Sequence, residues 1–189
     1  MPYTDPVIEC ATNCADAAAA VPVFLFDDCA PVVQGGEIQK IWLAQVGNPF
    51  TDIESATEWT TRIGAADGVA TKLTKWHVIG DKPKPTDTIK DISLGRKVVL
   101  STEHVINATV DEVNAVNHAA FSKIHQCGGT FLIWYETSGG LVFGGNAGIK
   151  VSIAPGMVIP RAKGDSIVWE LSITWSKRGT EPFTVSPIA

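Results

Sequence analysis

Charge is scarce in this chain. Asp, Glu, Lys and Arg make up only 19% of its 189 residues, against 45% hydrophobic residues, and the mean hydropathy is +0.13. So much apolar content excludes intrinsic disorder, because burying it can offset the entropy of ordering. So little charge suggests a surface partly covered by other copies. Long apolar runs are also missing. Stretches such as residues 17–26 fall far below the ~20 residues a spanning helix needs, so no membrane span is expected. Basic excess is absent too: 15 Lys and Arg stand against 20 Asp and Glu, a net charge of −5. That balance argues against nucleic-acid reading as the main task, since phosphate contacts need a basic surface.

The shortage of cations is local. Residues 1–39 hold six acids and no Lys or Arg, while the remaining 150 residues carry 14 acids and 15 bases. Seven bases crowd into residues 72–97: Lys72, Lys75, Lys82, Lys84, Lys90, Arg96 and Lys97. Two readings are open. The acidic end (Asp5, Glu9, Asp16, Asp27, Asp28) and the basic middle, stiffened by Pro83 and Pro85, meet across a subunit boundary, where complementary potentials set register. Alternatively, both are ordinary solvated segments.

No basic n-region precedes the first apolar stretch, which Asp16, Pro22 and Asp27 interrupt, so no signal peptide is expected. Synthesis in a cytoplasm with reduced thiols follows. The cysteines are Cys10, Cys14, Cys29 and Cys127. Their spacing lacks the paired Cys-x2-Cys of zinc knuckles, and small buried thiols are the simpler reading. Oxidation of Cys10 and Cys14 to a disulfide stays open.

Chemical motifs are equally sparse. There is no Gly-x-Ser-x-Gly elbow, and no Asp-x-Asp-x-Asp-Gly loop surrounds Asp27-Asp28. Residues 144–148 (GGNAG) lack the Gly-Lys-Ser/Thr of a phosphate loop and join two expected strands, so they read as a turn. His118 and His125 are seven apart on an expected helix, roughly 10 Å along its axis, too far for one metal. Nothing here points to an enzyme. The six tryptophans sit singly and are expected as core or subunit-contact anchors.

Hydrophobic period supplies the elements. A strand is expected over residues 38–46, stopped by Asn48-Pro49. Thr51 and Glu54 have capping-box spacing before a helix that runs to Gly64, and Thr109 and Glu112 repeat that spacing before a second helix ending at residues 127–129. Val113, Val116, Ala120, Phe121 and Ile124 form the apolar stripe of that second helix. Further strands are expected at 21–26, 69–79, 130–135, 141–143, 149–153 and 157–159. In residues 166–175, Ile167, Trp169, Leu171, Ile173 and Trp175 face one way, the pattern of a half-buried antiparallel strand. Residues 80–101 begin with Lys82-Pro83-Lys84-Pro85, which cannot be a central strand, and then alternate, with Ile92, Leu94, Val98 and Leu100 on one face. This is a projecting loop or hairpin, or an edge strand guarded by Lys and Pro. With an extended arm over 1–20 and no repeat or linker, the chain reads as one α+β domain, mostly antiparallel sheet with one or two packed helices.

The order of these elements resembles the tail tube proteins of tailed phages. The likeness is carried by GEIQKIWLAQVGNPFTDIESATEW, GRKVVLSTEHVINATVDEVNAV, DSIVWELSITWSKRGTEPFTVSPIA and the Cys29-Ala30-Pro31 segment. It implies a β-sandwich or half-barrel forming rings, commonly of six copies, that stack into a hollow tube in the virion. It implies contacts to other virion proteins, DNA passing through the lumen unread, no catalytic residue and no cofactor. The 80–97 loop or the N-terminal arm would join successive rings. Two alternatives stand beside it: a head-tail connector, terminator or head-decoration protein forming single rings, and a small carbohydrate-binding β-domain using Trp134 and Trp175 as stacking platforms.

Overall fold

The clearest alternation in the sequence becomes strand β8 (Val168–Ser176), whose Trp169, Leu171, Ile173 and Trp175 are buried while Glu170, Thr174 and Ser176 face outward. The computed structural model describes residues 34–93, 96–161 and 164–188, and the fold is that of the unit Gly35–Ala189. Its elements run β1 (Ile38–Gln45), α1 (Ala56–Ile63), β2 (Thr74–Asp81), β3 (Thr86–Ser93), β4 (Arg96–Val110), α2 (Ala115–Cys127), β5 (Thr130–Thr137), β6 (Leu141–Phe143), β7 (Ile149–Val158), β8 and β9 (Phe183–Val185). The expected arm over 1–20 and strand over 21–26 lie outside the described residues.

Every strand pairing is antiparallel. The order β1-β2-β4-β8-β7-β5 returns to its start because β1 pairs with β5 as well as with β2. The α+β class, mostly antiparallel with two helices, is what the sequence suggests. The sandwich or half-barrel form needs correcting, since the sheet closes into a six-stranded barrel and so removes the edges that a sandwich would leave. β3 extends from β4, and β6 and β9 from β5.

Two hydrophobic cores share one wall. The barrel interior takes residues from all six of its strands, among them Ile41, Val78, Ile106, Ile133, Val151 and Ile173. α2 lays Phe121 on this core, its ring 5.2 Å from Trp76 and 5.1 Å from Trp169. The second core lies on the other face of β1 and β5, where Trp42, Leu132 and Trp134 meet Phe50, Leu73 and Trp59 of α1. β5 is therefore buried on both faces, which explains its unbroken apolar run FLIWY.

The GGNAG turn serves this second core. Gly144 and Gly148 have φ of 130° and 69°, and a Cβ on either would lie 2.7 Å from the Trp134 ring. Only glycine lets the backbone wrap the indole this closely. Trp134 Nε1 donates to the Gly145 carbonyl at 2.7 Å, and Asn146 accepts from the amide of Ile53 at 2.9 Å, tying the turn to the segment before α1.

Both helices start later than capping-box spacing suggests. Ser55 caps α1, its side chain accepting from the Glu58 amide, and the Glu58 carboxylate reaches back to the amides of Thr51 and Asp52. Asn114 caps α2, because Thr109 is already committed to β4 opposite Glu170. The apolar stripe narrows accordingly: Phe121 and Ile124 pack on the core, while Val116 is 77% exposed. The strand expected over 69–79 runs instead over Thr74–Asp81, and those at 149–153 and 157–159 are one strand, β7.

Candidate functional site

One feature leaves the barrel. β4 has 15 residues, roughly 50 Å of chain, and only its second half belongs to the barrel wall. Residues 103–110 pair with β8, whereas residues 96–102 pair with β3 alone. β3 and the first half of β4 thus form a two-stranded ribbon. The face expected to join Ile92, Leu94, Val98 and Leu100 is divided between two antiparallel strands, with Ile92 on β3 and Val98 and Leu100 on β4, while Leu94 lies outside the described residues. Ile92 and Leu100 fall at register shifts: Asp91 faces Lys97 and Ser93 faces Arg96, while Ile89 faces Val99 and Thr88 faces Ser101. Such bulges twist a ribbon and break its alternation. Ile89, Ile92 and Leu100 are each more than half exposed.

The basic residues expected at subunit contacts spread over three places. Lys84, Lys90 and Lys97 are exposed on or beside the ribbon; Pro83 is exposed, Pro85 is half-buried, and the backbone of Arg96 opens β4. Lys72 is engaged locally, its Nζ 2.6 Å from Asp67 Oδ1 and donating to the Ala65 carbonyl, which holds the Asp67 carboxyl below its usual value. Lys75 is exposed, with its Nζ 5.8 Å from the Trp42 ring centre. Lys82 points back into the fold. The acids Asp5, Glu9, Asp16, Asp27 and Asp28 lie outside the described residues.

Lys82 leads to a buried cluster at the ribbon's base that sequence reasoning missed. Glu181, in the segment between β8 and β9, is 4% exposed. Its Oε2 accepts from Lys82 Nζ at 2.8 Å, and its Oε1 accepts from Trp175 Nε1 at 3.0 Å. His104 Nδ1 lies 3.3 Å from Oε1, and its other ring nitrogen donates to the Lys177 carbonyl at 2.9 Å. The His104 ring stacks on Trp175, centroids 5.1 Å apart, and Lys82 Nζ sits 5.5 Å from the same indole. Burial alone would raise the Glu181 carboxyl; hydrogen bonds from Lys82 and the backbone, with the charges of Lys82 and His104, outweigh it and leave the pKa below its ordinary value. Tyr135 shifts the other way, its hydroxyl held neutral by burial and by the Glu181 charge.

Beside the cluster, a cleft of about 510 Å³ runs between the ribbon and residues 178–180, with Val98, Val99, Arg178 and His104 in its wall. Arg178 donates to the Val99 carbonyl across it. A larger hollow of about 760 Å³ is lined by residues of β2, β4, β7 and β8 and by His125, with small residues such as Gly80, Ala154 and Gly156 among them.

Trp134 and Trp175 cannot be carbohydrate platforms. They are 0% and 7% exposed, and both indole nitrogens are bonded inside the protein. His118 packs edge-on to Trp169, and His125 donates to the Pro155 carbonyl. Among the described residues, no group of three His, Cys, Asp or Glu side chains is placed to hold a metal ion, Cys127 is free and exposed, and no helix is long and apolar enough to cross a membrane. The class these observations define is a closed antiparallel barrel with a projecting β-ribbon clamped at its base. No protein-family model matches the chain, and no curated protein shows significant similarity to it.

Proposed function

We propose that this protein is a structural component of a phage virion, self-assembling into rings that stack as a hollow tail tube through which DNA passes without being read. The observation that carries the proposal is the ribbon. Two strands alone are at best marginally stable in water, yet this pair extends beyond the barrel and exposes Ile89, Ile92 and Leu100. An exposed edge with apolar side chains is a template for pairing with another chain. The scarcity of charge and the element order of tail tube proteins support the same reading. In the assembled particle, the ribbon would join one ring to the next, and the acidic N-terminal residues would meet its lysines.

Electron microscopy of the purified full-length protein tests this, with long hollow tubes as the expected result. Joining Thr88 to Ser101 through Asn-Gly, which favours a tight hairpin, shortens the ribbon without touching the barrel. That variant should form single rings and no stacks. Single rings from the unaltered chain would instead favour a connector, terminator or decoration protein. A monomer at all concentrations would overturn the proposal.

A further inference from the structure

The Glu181 cluster sits where the ribbon is anchored. Lys82 lies on the connection into β3, and His104 lies on β4 where it re-enters the barrel wall. Glu181 thus faces both passages of the chain at the ribbon's base, from a segment that belongs to neither strand. The same segment adds two ties to β4: the Lys177 backbone amide donates to the Thr102 carbonyl at 3.0 Å, and the Arg178 guanidinium donates to the Val99 carbonyl. Trp175 of β8 and Tyr135 of β5 close the cluster from the barrel side. A carboxylate with a 2% exposed side chain keeps its charge here because the Lys82 ammonium compensates it and the Trp175 indole N–H donates to it.

We infer that residues 177–181 act as an acid-releasable clamp, in which the ionised Glu181 fixes the ribbon against the barrel and its protonation frees the ribbon while the barrel stays closed. The charged and titratable groups facing Glu181 are Lys82, His104 and Tyr135. Asp87, whose carboxylate accepts from Thr102 Oγ1 at 2.7 Å, is the neighbouring acid at the ribbon's base. The sign follows from linkage. A carboxyl whose folded pKa is depressed stabilises its surroundings above its unfolded value, and that stabilisation is lost as pH falls through the folded value. The clamp therefore holds at neutral pH and opens only in acid below the ordinary carboxylate range, because the Glu181 carboxyl is held below its usual value. This inference does not depend on tube formation.

Hydrogen exchange of the full-length protein, corrected for the intrinsic pH dependence of amide exchange, tests it. Ribbon amides between residues 87 and 101 are compared with those of β7 and β8. On acidification, ribbon protection should fall about tenfold before barrel protection changes. Glu181→Gln should give the low ribbon protection at every pH. Lys82→Met, at a side chain 19% exposed, should move the release midpoint upward by about one pH unit, because Glu181 loses its closest cation. Asp87→Asn should leave the midpoint in place. Loss of ribbon and barrel protection together would overturn the clamp. So would an unmoved midpoint in Lys82→Met, a readout that survives even if Glu181→Gln fails to fold.

Discussion

β4 spends its two halves in different environments. From His104 to Val110, every second side chain is buried in the barrel, with β8 paired along the whole stretch and β2 paired on the other edge at residues 107–109. From Lys97 to Leu100, the same strand has β3 as its one pairing partner, and none of its side chains is fully buried. Both stretches are rich in Val, Ile and Leu, so strand propensity does not distinguish them. What differs is closure. A strand paired on both edges and packed on one face gains stability from its surroundings, whereas a strand paired on one edge depends on a partner still to come.

The contrast is open to measurement, beginning with the deepest site. Ile106→Ala removes a side chain that is 0% exposed in the barrel interior and should cost about 2–5 kcal/mol in urea unfolding. Gly148→Ala should cost about 1–3 kcal/mol by the same assay, because it adds a Cβ against the Trp134 ring at a φ of 69°. Ser55→Ala should cost about 1 kcal/mol through loss of the α1 cap, with the barrel core untouched. Leu100→Ala is expected to change stability by no more than about 0.5 kcal/mol, although it lies six residues from Ile106 on one strand. Similar costs for Leu100→Ala and Ile106→Ala would erase the distinction between the two halves. A neutral Leu100→Ala that also reduces assembly, scored by electron microscopy, would sharpen it into a division of labour.

How much of this could be read in advance depended on the range of the interactions. Alternation in residues 169–175 identified β8 and its inward face, because a period of two is local information. Closure of the barrel was hidden, since β1 meets β5 more than ninety residues later in the chain, across pairs such as Trp42 with Trp134. The helix starts were misplaced because Ser/Thr-x-x-Glu spacing occurs at Thr51, Ser55 and Thr109, and only tertiary pairing decides among them. Thr109 fits the cap pattern but is held in β4. The pairing of β3 with β4 was hidden as well, because the alternation through Ile92, Val98 and Leu100 reads as one strand until Ser93 is set opposite Arg96. Glu181 had no signal: one acid in the segment RGTEPF looks solvated until Lys82 and His104, 99 and 77 positions away, are brought around it.

Membership of one strand in both barrel and ribbon also has a mechanical side. The bonds between antiparallel strands run across the strand direction. Tension along β4 therefore reaches the pairs from Glu103–Ser176 to Val110–Trp169 together, in shear, and none can part until the others slide. A sideways force on the ribbon would instead peel its rungs one at a time. The protein is thus stiff along the ribbon's axis and compliant across it, an anisotropy that lets it transmit pull while yielding to bending.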